Sequence, residues 1–121
     1  MRAALETSLL MQTLDQKSFD AAIAAGTHVI DFTAKWCGPC KQMAPVLDGL
    51  AQEYAGRVGF AAVDCDDEPQ IAQRFNVRSM PTFVLVRDGR EVGRIVGARP
   101  RAFVAGVIDR ALGGDVAITA P

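Results

Sequence analysis

The stretch HVIDFTAKWCGPCKQMAPVL, residues 28–47, constrains this chain more than any other. HVIDFTA is short and rich in β-branched and apolar residues, which suits a buried strand. After Cys40 the apolar residues Met43, Val46, Leu47, Leu50, Ala51 and Tyr54 recur at helical spacing. Pro45 falls inside this helix and removes one backbone hydrogen bond, so a kink is expected there. A strand thus passes almost directly into a helix, and the turn between them carries the pair Cys37 and Cys40.

Similar alternation fills the rest of the chain. LLMQTL reads as a short first strand and DQKSFDAAIAAG as a short helix, with Asp15 or Ser18 as N-cap and Gly26 as the stop. RVGFAAVDC reads as a buried strand, and DEPQIAQRF as a helix with acidic residues at its dipole-positive start. TFVLVRDGREVGRIV is a hairpin turning at Asp88-Gly89. RPRAFVAGVIDRALGG is a closing helix, with Pro100 near its first turn and glycines behind it. The tail DVAITAP shows no clear element and is expected to fray. The order β-α-β-α-β-α-β-β-α predicts an α/β fold. Its five-stranded mixed sheet runs parallel and then antiparallel, with four helices on its two faces.

Size and composition agree with one domain. The chain has 121 residues, half of them hydrophobic, and a net charge of −1. With no charged patch, neither nucleic acid nor an anionic membrane is an expected partner. Glu6 interrupts the opening segment and LLM is too short for a secretory apolar core, so no signal peptide is expected. The default location is the cytoplasm, where thiols are kept reduced, and the default assembly is a monomer.

Three readings compete for Cys37 and Cys40. A metal or cluster site needs about four ligands. The chain adds only Cys65 and one histidine, His28, without ligand spacing. A structural disulfide conflicts with a reducing compartment. A redox dithiol fits, because unpaired N–H groups at a helix start favour a thiolate on Cys37. Cys40, one turn on, is placed to resolve a mixed disulfide. Gly38 leaves room for a partner, and Pro39 stiffens the first turn without losing a needed donor. Cys65 reads as a small buried residue beside acids that oppose a thiolate.

The segments DFTAKWCGPCKQMAPVL and SMPTFVLVRDGREVGRIVGA resemble the active-site and later strands of the thioredoxin family. The likeness extends over about residues 9–112, with an extension at 1–8 and a flexible tail at 113–121. It implies a thioredoxin-like fold and a protein-disulfide reductase. Its redox group is its own Cys37–Cys40 pair, without a metal or other cofactor. An NADPH-dependent thioredoxin reductase would recharge it, and disulfide-containing client proteins would receive its electrons. The likeness further implies that Asp31 is a buried carboxyl handling the proton of Cys40, and that Met80-Pro81 is a cis bond beside the cysteines. Trp36, Gly38, Pro39, Met80, Pro81, Val96 and Gly97 would form an apolar docking surface. Two other functions stay open on the same residues: disulfide oxidation or isomerisation, and a non-redox binding module.

Two positions depart from the family pattern. Thr33 stands where several members carry an aromatic residue. Ala62 stands where many have a lysine or another charged residue near the buried Asp. Asp31 without an ammonium partner is expected to be harder to ionise.

Overall fold

Strand β2 (Thr27–Thr33) has paired neighbours on both edges and ends where the cysteine turn begins. The structure, a computed structural model, describes residues 11–113 and the backbone of residues 118–120. The other strands are β1 (Met11–Thr13), β3 (Val58–Asp64), β4 (Thr82–Arg87), β5 (Arg90–Val96) and β6 (Ile118–Ala120). The helices are α1 (Phe19–Ile23), α2 (Gly38–Glu53), α3 (Pro69–Arg74) and α4 (Arg101–Leu112).

The sheet order is β1-β3-β2-β4-β5-β6. β1, β3 and β2 run parallel, and β4 and β5 are antiparallel to their inner neighbours. The expected five strands and four helices are therefore present. A sixth strand corrects the reading of the tail: Ile118–Ala120 pairs in parallel with β5. The expected extension at 1–8 and the beginning of the LLMQTL strand lie outside the described residues, as do most of the remaining tail residues.

Alternation along the strands divides the core into two layers. On one face Val29, Phe60, Phe83 and Ile95 pack under Met43, Leu47 and Leu50 of α2 and Val104, Val107 and Ile108 of α4. On the other, Ile30, Phe32, Val63, Val84 and Val86 pack against Phe19, Ile23 and Ile71 of α1 and α3. Phe32 is fully buried, and the Phe75 ring lies 5.7 Å from it and 5.5 Å from Phe19. Aromatic groupings of this kind add about 0.5–1.5 kcal/mol per pair beyond area burial.

Helix α2 continues through Pro45. Asp15 and Ser18 share the start of α1: Ser18 is the N-cap residue, while its N–H donates to Asp15 Oδ1 and its hydroxyl accepts from the Asp15 N–H. Glu68 stands at the N-cap of α3, but its carboxylate accepts from the Gln16 N–H rather than from its own helix.

At the hairpin both Asp88 (φ 50°) and Gly89 (φ 83°) take left-handed conformations, as a two-residue turn matched to strand twist requires. Asp88 also ties this turn to the one before β2. Its carboxylate accepts from the Gly26 N–H at 2.8 Å, and its own N–H donates to the Gly26 carbonyl at 2.9 Å. Alanine tolerates the left-handed region poorly and cannot accept the first of these bonds. Asp88→Ala should lower stability by about 1–2 kcal/mol. Urea unfolding should show a lower midpoint with an unchanged slope.

Candidate active site

The site is built where β2 hands the chain to α2. Cys37 is extended (φ −86°, ψ 109°) and serves as the N-cap of α2, its sulfur accepting the Cys40 N–H at 3.2 Å. A side-chain acceptor normally fills this place; here a sulfur does. Pro39 lies in the first turn, where an N–H would have no helical partner. Cys37 and Cys40 are joined as a disulfide with Cα atoms 5.3 Å apart. Both residues are buried, packing with Ala34 and half-buried Met80, while Trp36, Gly38 and Pro39 around them are exposed.

The second loop arrives from β4 and β5. The Met80–Pro81 bond is cis, and Met80 touches the cysteine cluster. Pro81 is itself buried, and its carbonyl accepts the Gly97 N–H at 2.8 Å, which holds the start of β4 against the end of β5. Gly97 has φ +88°, and a Cβ there would meet no atom of the chain. Its backbone conformation, rather than crowding within the chain, is what calls for glycine. Val96 is exposed beside it.

Trp36 is two-thirds exposed (67 %), and its indole N–H donates to Asp66 Oδ2 at 2.8 Å. Asp66 was not singled out from the sequence as a site residue. The run Asp64–Asp67 there reads only as charge opposing a Cys65 thiolate. In the structure Asp64 Oδ1 accepts from the N–H groups of Asp66 and Asp67, and Lys35 lies 3.9 Å from Asp67. This acidic turn fixes the tryptophan.

Asp31 lies on the α2 side of β2, opposite Ala62 of β3 and Phe83 of β4. It is 8 % exposed, and Oδ1 has no protein hydrogen-bond partner among the described residues. Burial pushes its carboxyl up to about 7 from an ordinary 3.8. A cavity of about 280 Å³ opens beside it, reached by Cys40, Ala44, Leu47 and Ala62 and bordered by Lys35, Lys41 and Asp48. Thr33, the other departure from the family pattern, lines the same cavity.

Cys65 is a free thiol packed against the Phe32 layer and only partly buried. Burial, then Asp64, Asp66 and Asp31, push it up to about 11. His28 Nε2 lies 2.8 Å from the Ala25 carbonyl. Among the described residues, no three His, Cys, Asp or Glu side chains gather where they could hold a metal ion. No helix of the described chain is long and apolar enough to cross a membrane.

Two sulfurs that can exchange one S–S bond for two thiols, at a helix N-terminus and beside a cis-proline loop, place the chain among the thiol–disulfide oxidoreductases. Its sequence narrows the class. The family described as Thioredoxin matches residues 10–110. Curated relatives named Thioredoxin, from Staphylococcus aureus strains Mu50, MW2 and N315, are each 40 % identical over 94 residues, covering 78 % of this chain and 90 % of the relative. The chain belongs to the thioredoxin family, and it is a protein-disulfide oxidoreductase whose redox group is its own cysteine pair.

The raised Asp31 carboxyl has a thermodynamic consequence. Between about pH 4 and 7 the folded chain retains a proton that the unfolded chain has lost, so stability falls as pH rises through that window and levels off above it. Each pH step is about 1.4 kcal/mol, which bounds the loss at roughly 4 kcal/mol. Asp31→Asn removes the charge and should stabilise the fold by about 2–4 kcal/mol at pH 8 but by less than about 1 kcal/mol at pH 4. Denaturant unfolding at the two pH values checks this; an equal gain at both would contradict it.

Proposed function

We propose that this protein reduces disulfides in other proteins, with Cys37 attacking and Cys40 resolving. The observation that carries this order is the Cys40 N–H held against the Cys37 sulfur at the start of α2. Once the disulfide is reduced, that donor and the helix dipole favour a thiolate on Cys37. The thiolate attacks one sulfur of a client disulfide, and the other client sulfur leaves. Cys40 then attacks Cys37, releases the second client thiol and re-forms the Cys37–Cys40 bond.

Asp31 acts in the second half. Its carboxylate takes the Cys40 proton, and burial supports this by keeping the carboxyl near neutrality, where it can accept and lose a proton at working pH.

Clients dock on the apolar rim formed by Trp36, Gly38, Pro39, Met80, Val96 and Gly97, with buried Pro81 holding Met80 in place. Exposed Trp36 and Val96 support this face. Pairing of β4 with both neighbours begins at Thr82, so the Met80 backbone lies ahead of the ladder and can pair with an extended client segment. We further propose that an NADPH-dependent thioredoxin reductase restores the dithiol, and that the protein works as a cytoplasmic monomer.

The Gly-Pro pair between the cysteines adds no donor that would over-stabilise the reduced form, which favours reduction over oxidation. The couple should therefore be more reducing than the glutathione pool when equilibrated in dithiothreitol buffers. Cys40→Ser should accumulate a mixed disulfide with a protein substrate, visible by mass. Cys37→Ser should trap none and lose activity at least 100-fold. A strongly oxidising potential would shift the assignment to a disulfide oxidase or isomerase. Function surviving replacement of both cysteines would make the protein a binding module.

A further inference from the structure

Trp36, Val96 and Phe103 are the exposed large apolar side chains among the described residues. The first two belong to the client rim. Phe103 lies beyond it, in the first turn of α4. The chain from Val96 to Phe103 runs along the surface: Ala98, Pro100 and Ala102 are exposed, and Gly97 and Arg99 are half-buried. Gly97 is fixed to Pro81 by its N–H, so this stretch leaves directly from the cis-proline loop. Arg99, two residues on, has its Cα at most about 7 Å from that of Gly97.

Arg99 joins the rim to Phe103. Its guanidinium carbon lies 5.5 Å from the centre of the Phe103 ring, a stacking that suits the planar, weakly hydrated cation. Its Nε is buried with no acceptor among the described residues, and Pro100 biases its backbone to an extended conformation. A side chain already held in this way loses little freedom when it meets a ligand. Its charge is also unclaimed. Arg101 pairs with Glu53 at 2.7 Å and Arg94 with Glu91 at 2.8 Å, whereas Arg99 pairs with no carboxylate among the described residues. Arg78, two residues before Met80, donates to the Asn76 side chain rather than to an acid, so the Met80 loop carries charge of the same sign. The acids beside Trp36 are engaged, Asp66 by the indole and Asp67 by Lys35.

We propose that Arg99, stacked on Phe103, extends the client rim into a reader of charge that selects protein disulfides whose attacked cysteine is flanked by Asp or Glu. This rests on the client rim assigned above and names the clients it prefers. An extended client segment advances about 3.3 Å per residue, so side chains two to four places from the client cysteine sample about 7–13 Å of the rim. A client carboxylate within that span accepts from the Arg99 fork, and the apolar surface of Val96 and Phe103 around it strengthens the pairing by keeping water away. Arg99 is a recognition residue and takes no part in the exchange of sulfurs.

The test uses three peptide disulfides, alike except for Glu, Gln or Lys at the second and third positions on each side of the cysteine. Their reduction by the dithiol form of the full chain is followed at pH 7 in about 20 mM and about 500 mM salt. Reduction of the same peptides by dithiothreitol corrects for the effect of flanking charge on the leaving thiol. The Glu peptide should be reduced at least about fivefold faster than the Lys peptide at low salt, and less than about twofold faster at high salt. Arg99→Gln should bring the low-salt preference below about twofold, Arg99→Glu should invert it, and Phe103→Ala should weaken it by unseating the guanidinium. A preference undiminished in both Arg99 variants would overturn the proposal, as would equal slowing of all three peptides or an unmodified chain that reduces the three alike. Failure of the unmodified chain to reduce any of them would instead overturn the reductase reading itself.

Discussion

The hydrogen bond from the Cys40 N–H to the Cys37 sulfur, 3.2 Å long, is the contact toward which the structure is organised. It exists only if Cys37 is extended and the next residues are helical, a change of conformation within one residue. β2 holds the first half, paired along its whole length with β3 and nearly as far with β4. Helix α2 holds the second by burying Met43, Leu47 and Leu50 against the sheet. Neither element could shift by a residue without turning its apolar side chains to solvent. The sulfur is thus positioned by the buried core, and its chemistry is inherited from that packing.

The same packing creates a conflict at Asp31. The α2 side of β2 is apolar, yet its register puts a carboxyl between Val29 and Thr33 with Oδ1 unpartnered. Stability alone would favour an apolar residue there, since desolvation outweighs anything an isolated charge gains. Local rules broken without compensation elsewhere in the fold point to function. Here the compensation is chemical: a carboxyl pushed to about 7 can exchange protons at neutral pH, whereas an ordinary one stays ionised.

Most of the fold was legible because its signals are periodic or punctuated. Strands and helices followed apolar spacing, and Asp88-Gly89 announced its turn. What escaped notice lacked such signals. β6 has only three residues, too few for any period. The bond from Trp36 to Asp66 spans 30 positions, and no local pattern encodes it. The cavity escaped because a lone alanine does not reveal what faces it; only the pairing of Asp31 with Ala62 does. The cysteine pair was readable from its place between strand and helix, but the cis bond before Pro81 came from family likeness, since Met80 and Pro81 carry no distinguishing chemistry.

Cys37 and Cys65 meet opposite environments, and the contrast explains why Cys65 is no second nucleophile. Cys65 lies at the end of β3 on the partly buried side of the acidic turn. Burial removes water from its sulfur, and Asp64 and Asp66 add negative charge, so its thiol is pushed up to about 11. Cys37 is also buried, but its sulfur accepts the Cys40 N–H of α2. Desolvation there strengthens the donor's hold, because the same low dielectric that penalises an unpaired charge favours a paired one. The acidic run does not undo this, since Asp64 is engaged by two backbone N–H groups, Asp66 by Trp36 and Asp67 by Lys35. Burial alone would silence Cys37 as it does Cys65; what separates these two sulfurs is the sign of the groups that face each.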